Sequence, residues 1–340
     1  MSFHIVSIDS PQCLLSCRDG QLTCKTAEGE RKLPLEDVAS IIVTSFSASI
    51  HSQLFLEAAK HGVALIICEA FKPVSLVLPA NRATDTLLSR AIISLKPAVK
   101  QNLWQRTVDA KCRNQFLLAE HLVTTEGREQ VPESCRSRGD EDHTAEKSEP
   151  PHVGSYNPQL ASLVKEFQCM ETGHRPHKEA ICAKMFWQVF GRSLQQDEFT
   201  RKRAGGGLND LLNYGYAVLL STVLQKIFAV GLDPTFGISH EIRERSTPLA
   251  YDLMEPFRPC VDWRVIQWVK QHPQSLGWEV TKEYRKWVTG FPLERVDYLD
   301  FELEIQGCIE GVVRSFRRAV MDNSPRYYRP WTMKNGKWAA

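Results

Sequence analysis

The feature that most constrains the fold is a change in the spacing of apolar residues near Asp85. Before this position, short runs of β-branched and apolar residues alternate with turn sequences such as "RDGQ" and "EGER", a pattern typical of strands. After it, Trp104, Val108, Cys112 and Phe116 recur every four positions, which indicates helices. We therefore predict an α+β protein, in which an N-terminal β-rich domain precedes a C-terminal all-α-helical domain.

The same change sets the predicted domain boundary. Residues 1–85 form the β-rich domain, and residues 86–340 form the helical domain. The predicted strands are Phe3–Ile8, Cys13–Cys17, Gln21–Lys25, Lys32–Pro34, Ala39–Val43, Val63–Cys68 and Val74–Leu78, and a helix in "SIHSQLFLEAAKHG" interrupts them. The predicted helices are 85–95, 98–122, Pro158–Glu166, His177–Phe190, Asp210–Val230, Pro248–Glu255, Pro259–Lys270, Lys282–Trp287 and Leu293–Arg318.

One polar segment interrupts the helical part. Residues 126–152 contain almost no apolar side chains and are dominated by charges, serine and proline. Such a composition does not bury enough surface to offset the entropy of an ordered chain. We predict a flexible insert between two helices, in which His143 and the nearby acids are not metal ligands.

Composition excludes several classes of protein. No apolar run approaches the ~18 residues that a membrane span requires, and the start "MSFHIVSIDS" lacks the features of a signal peptide. The ten cysteines include no CxxC pair, which argues against a zinc ribbon. We expect a cytoplasmic protein that has no membrane partner and whose cysteines stay reduced.

Two carboxylates lie close together in the apolar segment "LAYDLMEPFRP". Asp252 and Glu255 are three residues apart, so at helical spacing their Cβ atoms are roughly 5–6 Å apart on one face. Like charges at this distance destabilise one another, and burial increases the cost. Two interpretations stay open: the segment is a surface turn screened by water, or a cation lies between the two carboxylates.

A glutamate and a histidine elsewhere extend this pair. Glu179 lies on an amphipathic predicted helix, and His240 ends the turn-rich segment "GLDPTFGISH", twelve residues before Asp252. Carboxylate oxygens with one imidazole suit Mg²⁺ or Mn²⁺, and such an ion can activate an attacking hydroxyl. The alternative is structural: a hydrogen-bonded histidine near a turn and a glutamate at the edge of a packed face.

A short basic segment precedes the longest glycine run. Arg201, Lys202 and Arg203 come just before Gly205, Gly206 and Gly207 and a predicted helix. A glycine-rich loop at a helix N-terminus can hold a phosphate, although the segment fits neither the Walker nor the Rossmann pattern. We weigh a role for these three basic residues in binding a partner that carries phosphate groups against a flexible connection between two elements.

Positive charge is concentrated near the C-terminal end. Residues 1–85 carry seven Lys or Arg and nine Asp or Glu, whereas residues 311–340 carry seven Lys or Arg and one acid. Such asymmetry indicates an anionic partner. The candidate DNA-binding residues here are Arg317, Arg318, Arg326 and Arg329, beside the aromatic residues Tyr327, Tyr328 and Trp331. These rings either stack on unpaired bases or pack on the helical core.

Three blocks of the chain resemble a known family. "KEAICAKMFW", "LNDLLNYGYAVLLSTVLQKIFAVGLDPTFGISH" and "LAYDLMEPFRP" occur in this order and are similar to the signature blocks of the CRISPR-associated adaptation integrase, the first-numbered Cas family. A β-rich part followed by a helical part is also similar. The resemblance covers nearly the whole chain apart from residues 126–152.

The resemblance implies an activity and a set of site residues. It implies a metal-dependent DNA integrase/endonuclease of CRISPR spacer acquisition, which joins the 3′-hydroxyl ends of short DNA fragments into a repeat array by transesterification. Glu179, His240 and Glu255 match the catalytic and metal-binding positions for Mg²⁺ or Mn²⁺. The family often has Asp at the last of these, and Glu keeps the charge. Asp252 matches a neighbouring acid that is either an additional ligand or a residue behind the ligands.

The resemblance also implies partners. These are double-stranded DNA with short single-stranded ends, a CRISPR repeat, and a second copy of the chain bound through the β-rich domain. Two such dimers are bridged by a dimer of the small second CRISPR adaptation subunit. Two other functions stay open, a structure-selective metal-dependent DNA nuclease and a non-catalytic DNA-binding scaffold. The sequence does not separate integrase from nuclease, because the two reactions differ only in the attacking hydroxyl.

Overall fold

The structure is a computed structural model. It describes residues 4–10, 12–45, 47–69, 72–78, 83–126, 158–172, 177–203, 205–241, 246–272 and 278–333. The predicted flexible insert at 126–152 lies outside these residues apart from Glu126, which ends a helix. Within these ranges no helix is both long and apolar enough to cross a membrane.

The N-terminal part is rich in strands, as predicted. Its elements are β1 (His4–Ile8), β2 (Leu14–Arg18), β3 (Gln21–Thr26), β4 (Gly29–Pro34), β5 (Val38–Val43), β6 (Ser49–Ile50), α1 (Ser52–Lys60), β7 (Ala64–Glu69) and β8 (Lys72–Val77). One sheet has the order β1-β5-β7-β8, in which β7 and β8 are antiparallel and the other pairs are parallel. The other sheet has the order β4-β3-β2-β6.

Alternating apolar residues hold the two sheets and α1 together. In β2, Leu15 and Cys17 are buried, whereas Leu14 and Arg18 on the other face are exposed, which is the period of a half-buried strand. Leu54 and Ala58 of α1 pack into the same core. The predicted strands of the N-terminal part are therefore confirmed to within a few residues, and the short strand β6 (Ser49–Ile50) was not predicted there.

The C-terminal part is mainly helical, also as predicted. Its helices are α2 (Ala83–Ile93), α3 (Pro97–Glu126), α4 (Pro158–Thr172), α5 (Lys178–Ser193), α6 (Leu208–Ala229), α7 (Pro248–Met254), α8 (Arg258–Gln271), α9 (Lys282–Val288) and α10 (Ile305–Met321). A 3₁₀ turn, Glu255–Phe257, joins α7 to α8. The long helix α3 packs against α4, α5, α8 and this turn, so it forms the floor of the region in which the candidate residues lie.

Helix α6 connects the two parts of the molecule. It is buried on almost every side, which fits its nearly continuous apolar sequence. At its C-terminal end, Ala229 and Phe228 pack against Ile42, Ile66 and Cys68 of the β1-β5-β7-β8 sheet. The strand-rich part therefore rests directly on the helical core.

One predicted helix is wrong at its start. The segment predicted as the first part of helix Leu293–Arg318 contains an antiparallel hairpin of β9 (Arg295–Tyr298) and β10 (Phe301–Glu304). The physical reason is an alternating pattern, in which Val296 and Tyr298 point into the core. Leu299 has a φ of +55° and reverses the chain, so the helix begins only at Ile305.

Candidate functional site

A lysine on α3 joins two of the predicted site residues. The Nζ atom of Lys111 lies 2.7 Å from Glu179 Oε1 on α5 and 2.6 Å from Glu255 Oε2 in the 3₁₀ turn. The Lys111 side chain is 12% exposed. Two carboxylates that are 76 positions apart in sequence therefore meet at one ammonium group.

An arginine completes this group of charges. Arg258 Nε lies 3.0 Å from Glu255 Oε1, one helical turn further along the chain. The Glu255 side chain is 5% exposed, and its Oε2 has no partner with hydrogen-bond geometry among the described residues. We call Lys111, Glu179, Glu255 and Arg258 the charge cluster.

The charges of this cluster keep Glu255 ionised. Burial acts to raise the pKa of Glu255, but Arg258 and Lys111 outweigh it, and the pKa lies below its usual value. Burial likewise acts to lower the pKa of Lys111, and the carboxylates of Glu255 and Glu179 reverse the shift, so its pKa is raised. An ionised carboxylate beside a protonated amine is the stable state of this pair.

The Asp252 carboxylate is stabilised in a different way, mainly by hydrogen bonds from backbone amides. Its Oδ2 accepts hydrogen bonds from the N–H groups of Ile238 at 2.6 Å and Ser239 at 3.2 Å. Its Oδ1 accepts from the N–H of His240 at 3.1 Å and lies 2.7 Å from His240 Nδ1. We call Asp252 with these three amides the Asp252 cradle. Each oxygen of this fully buried carboxylate therefore has two partners.

A glycine makes the cradle possible. A Cβ atom on Gly237 would lie 2.6 Å from the His240 carbonyl oxygen, 2.8 Å from Pro248 Cβ and 3.0 Å from Asp252 Oδ2. These distances are too short for any side chain, so the loop reaches the carboxylate only because residue 237 has none.

The cradle also fixes the imidazole of His240. The Asp252 carboxylate raises the pKa of His240 by hydrogen bonding to Nδ1, against the opposing effect of burial. The His240 side chain is 46% exposed, and the ring of Trp104 meets it edge-on at 6.0 Å. With Nδ1 engaged, Nε2 is the ring nitrogen that a ligand can use.

The structure excludes one interpretation of the Asp252–Glu255 pair and modifies the other. Both residues are buried, at 0% and 4% exposure, so the surface turn screened by water is wrong. Positive charge is present, but Lys111 and Arg258 place it on Glu255 alone and not between the two carboxylates. Asp252 relies instead on the dipoles of the amides and on His240.

The donor atoms suit a hard divalent cation, but an ammonium group occupies their meeting point. Oxygen atoms of Glu179 and Glu255 with an imidazole nitrogen are typical ligands of Mg²⁺ or Mn²⁺. As the side chains stand, no group of three or more His, Cys, Asp or Glu in the described part of the chain is arranged to hold a metal ion. Glu255 Oε2 is buried, lacks a partner with hydrogen-bond geometry among the described residues and lies 2.6 Å from the Lys111 ammonium, so it is an oxygen at which a cation fits.

The basic loop before α6 is ordered by asparagines. Arg201 donates to Asn209 Oδ1 at 2.9 Å and to Asn213 Oδ1 at 2.7 Å, and its guanidinium lies 5.3 Å from the centre of the Tyr216 ring. Arg201 is thus held inside the protein fold. Lys202 and Arg203 are exposed, and they are the members of this group that face solvent.

The aromatic residues near the C-terminal end pack on the core. Tyr328 and Trp331 are fully buried, and Trp331 stacks on Phe257 with ring centres 5.4 Å apart. Of the two predicted roles for these rings, stacking on unpaired bases and packing on the helical core, the structure shows the second for Tyr328 and Trp331. Tyr327 is half-buried, with Arg318 and Arg326 over its ring at 4.2 and 4.7 Å.

The four basic candidates of this segment differ in exposure. Arg318, Arg326 and Arg329 are exposed, and Arg317 is half-buried. Arg318 Nε lies 3.7 Å from Asp322 Oδ2, a surface contact of little energetic weight. The exposed guanidinium groups thus form a basic surface on the side of the molecule where α10 ends.

An asparagine on α3 ties this segment to the charge cluster. Asn114 Nδ2 donates to the carbonyl oxygens of Pro256 at 2.8 Å and Trp331 at 3.1 Å. Its Oδ1 accepts from the N–H of Met333 at 2.9 Å. The residue that follows Glu255 is thereby fixed both to α3 and to the C-terminal segment.

Sequence analysis missed several residues that build the site. Lys111, Asn114 and Arg258 were not among the candidates. A signal existed for Lys111, because it lies one helical turn after the buried Val108, on a stripe where a charge needs a partner. Asn114 had no comparable signal, because its partners are more than 140 positions away.

A third buried carboxylate lies behind Arg258. Asp262 is fully buried, and its Oδ1 accepts a short hydrogen bond from the hydroxyl of Tyr216. The guanidinium of Arg258 lies 4.8 Å from the centre of the Tyr216 ring. Burial raises the pKa of Asp262 from 3.8 to about 7. Arg258 therefore contacts an acid on one side and an aromatic face on the other.

Solved structures share this fold across nearly the whole chain. A casposase bound to an integration product matches with a TM-score of 0.64 at 17% identity, covering 98% of this chain and 100% of that one. A partial Cas6-RT-Cas1–Cas2 complex matches with a TM-score of 0.59 at 14% identity, covering 98% and 99%. At these identities the likeness shows the fold alone.

Sequence comparison identifies the family. The family described as CRISPR associated protein Cas1 matches residues 6–276, and the chain belongs to this family, as the three sequence blocks predicted. The CRISPR-associated endonuclease Cas1 of Neisseria meningitidis serogroup C (strain 8013) is 27% identical over 322 residues, which cover 92% of this chain and 90% of that protein.

Proposed function

We propose that the protein is a metal-dependent DNA integrase/endonuclease that joins 3′-hydroxyl ends of short DNA fragments to a CRISPR repeat by transesterification. The observation that carries the proposal is the convergence of Glu179 and Glu255 on one cation position, with distances of 2.7 and 2.6 Å to Lys111 Nζ. The naming of its relative as an endonuclease and the casposase fold support DNA strand chemistry.

Three residues would hold the ion. Glu179 and Glu255 offer carboxylate oxygens, and His240 offers Nε2 because Nδ1 is engaged by Asp252. When bound, Mg²⁺ or Mn²⁺ activates a hydroxyl and stabilises charge on phosphorus. Asp252 acts behind the ligands, since its oxygens are filled and a carboxylate on the other ring nitrogen orients a metal-binding histidine.

The basic surfaces would hold the DNA. Lys202 and Arg203 lie before α6, and Arg318, Arg326 and Arg329 lie near the end of α10, all exposed. Arginine and lysine neutralise phosphates without regard to sequence. Arg201, which was a candidate for the same role, contributes by ordering the loop, and Arg317 is half-buried beside the others.

The assembly we propose has two levels. A homodimer forms through the β-rich domain of residues 1–85, and a dimer of the small second adaptation subunit bridges two of these homodimers. The solved Cas6-RT-Cas1–Cas2 complex, in which a chain of this fold occurs, supports association with the second adaptation subunit. The catalytic unit would then be the helical domain of residues 86–340.

The test separates chemistry from binding. Glu179→Ala, His240→Ala and Glu255→Ala should each abolish strand transfer with Mn²⁺ while leaving DNA binding largely intact. Glu120→Ala is the matched control, because Glu120 is exposed on α3 outside the charge cluster. Near-normal transfer in two of the three variants would exclude this site.

The same experiment tests the two other functions. A protein that cuts branched DNA but never joins fragment ends is a nuclease, and water replaces the 3′-hydroxyl as the attacking group. A protein that binds DNA equally in all variants and neither cuts nor joins is a scaffold. The products, separated on a denaturing gel, distinguish the three outcomes.

A further inference from the structure

Lys111 occupies the point at which the two glutamates meet. Its Nζ atom lies within 2.7 Å of oxygens from both Glu179 and Glu255. Its side chain is buried to nearly nine-tenths, so water does not screen this ammonium effectively. In this arrangement the positive charge between the carboxylates belongs to the protein itself.

The contact with Glu255 is a close ion pair, in which the attraction between opposite charges dominates over hydrogen-bond alignment. Glu255 Oε2 is 2.6 Å from Nζ, yet it has no partner with hydrogen-bond geometry among the described residues. The Glu255 side chain is about 95% buried, at 5% exposure. A spherical ion can replace such a contact, because attraction between charges needs no particular angle.

We propose that Lys111 is an internal counter-ion that a divalent cation must displace, so that metal loading and withdrawal of the Lys111 ammonium are one event. The inference rests on the proposed ligands Glu179 and Glu255. An ammonium and a metal ion do not occupy the same point between these oxygens, and two cations in contact repel one another. Lys111 is thus a positioning residue that sets the affinity for the ion.

The fold offers a matched comparison for this lysine. Lys178 Nζ lies 3.0 Å from Asp109 Oδ1 and also joins α5 to α3. Its side chain is 11% exposed, close to the 12% of Lys111. Replacing either lysine with methionine removes the same charge from the same helix pair, but only Lys111 lies between Glu179 and Glu255.

The direct test measures Mn²⁺ affinity without DNA, by isothermal titration calorimetry and by the loss of the free-ion EPR signal. Lys111→Met should bind Mn²⁺ about tenfold more tightly or better, because the ion no longer displaces a buried cation. Lys178→Met should stay within about twofold of the original protein. An unchanged or weaker affinity in Lys111→Met overturns the proposal.

A thermal measurement covers the case in which Lys111→Met folds poorly. The free variant leaves two acids without their amine, so its melting temperature should fall, and saturating Mn²⁺ should raise that temperature more than in the original protein. Lys111→Gln, which is polar but uncharged, should behave in the same way. If Mn²⁺ raises the melting temperature equally in the original protein and in both Lys111 variants, the ion does not displace the Lys111 ammonium.

One outcome separates this inference from the proposed function. If the original protein binds Mn²⁺ and Glu255→Gln loses it, but Lys111→Met gains nothing, the ligands stand and only the displacement is wrong. If neither the original protein nor any Lys111 variant binds Mn²⁺, both proposals fail.

Discussion

The charge cluster and the Asp252 cradle neutralise buried carboxylates by different means, although they lie one helical turn apart. Glu255 in the cluster faces two cationic side chains, Lys111 and Arg258. Asp252 in the cradle accepts hydrogen bonds from three backbone amides and contacts Nδ1 of the His240 ring. Side chains can move away from a carboxylate, whereas amides in a packed loop cannot do so without unfolding it.

This difference assigns separate roles to two similar acids. The counter-ions of Glu255 are side chains, which fits the proposal that a metal ion replaces Lys111 there. The partners of Asp252 are backbone amides, so Asp252 holds the loop that ends in His240. The spacing of three residues thus places an acid paired with side-chain cations beside an acid held by the backbone.

The largest expected effect is on strand transfer. Glu255→Gln removes a proposed metal ligand and should abolish the reaction, whereas Asp252→Asn should lower its rate by about 10–100-fold, as changes behind the ligands do. The measurement is the single-turnover rate with saturating DNA and Mn²⁺. Equal and complete loss in both variants would make Asp252 a ligand and remove the distinction.

For the free energy of unfolding, the ranking of the two variants should reverse, with Asp252→Asn having the larger effect. The amide of Asp252→Asn has one acceptor atom for four donors and leaves buried N–H groups unsatisfied, so the free energy of unfolding should fall by about 2–4 kcal/mol. Glu255→Gln should cost less than Asp252→Asn, because its amide oxygen still accepts one hydrogen bond, Lys111 keeps its ion pair with Glu179 and Arg258 keeps its contact with the Tyr216 ring. Urea unfolding of both variants provides the measurement.

Gly237 gives an independent way to disturb the cradle. Gly237→Ala should destabilise the protein by an amount similar to Asp252→Asn, since a Cβ atom would collide with the His240 carbonyl. If Gly237→Ala were as stable as the original protein, the loop would be more adaptable than the cradle requires.

Asp262 is a buried acid that makes no ion pair within the described residues and accepts a hydrogen bond from Tyr216, so its charge should respond to pH. Burial raises the pKa of Asp262 from 3.8 to about 7, so the folded protein retains a proton that the unfolded chain releases. The contribution to stability is complete below the unfolded value and is lost as pH rises towards 7, by at most about 1.4 kcal/mol per pH unit.

The matched variant is Asp262→Asn, which cannot ionise. From pH 5 to pH 8 the original protein should lose stability relative to this variant, as urea unfolding at several pH values would report. Parallel stability curves would mean that Arg258 stabilises the ionised form of Asp262 more strongly than burial opposes it.

The smallest expected effect concerns exposed charges, which salt screens, in contrast to the buried charge cluster. Changing Arg317, Arg318, Arg326 and Arg329 together to Gln should weaken DNA binding and flatten its salt dependence by up to about 0.9 log units per lost contact. Strand transfer at saturating DNA should largely survive. An unchanged slope in a folded variant would place the DNA surface near Lys202 and Arg203 instead.

Local patterns predicted the elements, and contacts between distant segments did not follow from them. The alternation in β2 and the four-residue spacing in α3 are local, so strands and helices were predicted closely. The hairpin of β9 and β10 was mistaken for a helix because short apolar runs fit both periods.

In the candidate site, too, individual residues could be identified from the sequence, whereas contacts between distant residues could not. Family resemblance supplied Glu179, His240 and Glu255 as ligand candidates, and these residues stay a prediction. The sequence raised the correct question about Asp252 and Glu255 but did not show which acid pairs with cations. That answer depends on Lys111, 144 positions before Glu255, and only the packing of α3 against the 3₁₀ turn brings the two together.

The ties that Asn114 makes to Pro256, Trp331 and Met333 have a consequence for synthesis on the ribosome. Residues 331 and 333 leave the exit tunnel long after Glu179, His240 and Glu255 have done so. Until then the turn that carries Glu255 lacks the ring of Trp331 against Phe257 and two of the three hydrogen bonds of Asn114. We therefore expect a nascent chain to lack the proposed DNA-cutting activity until these residues emerge.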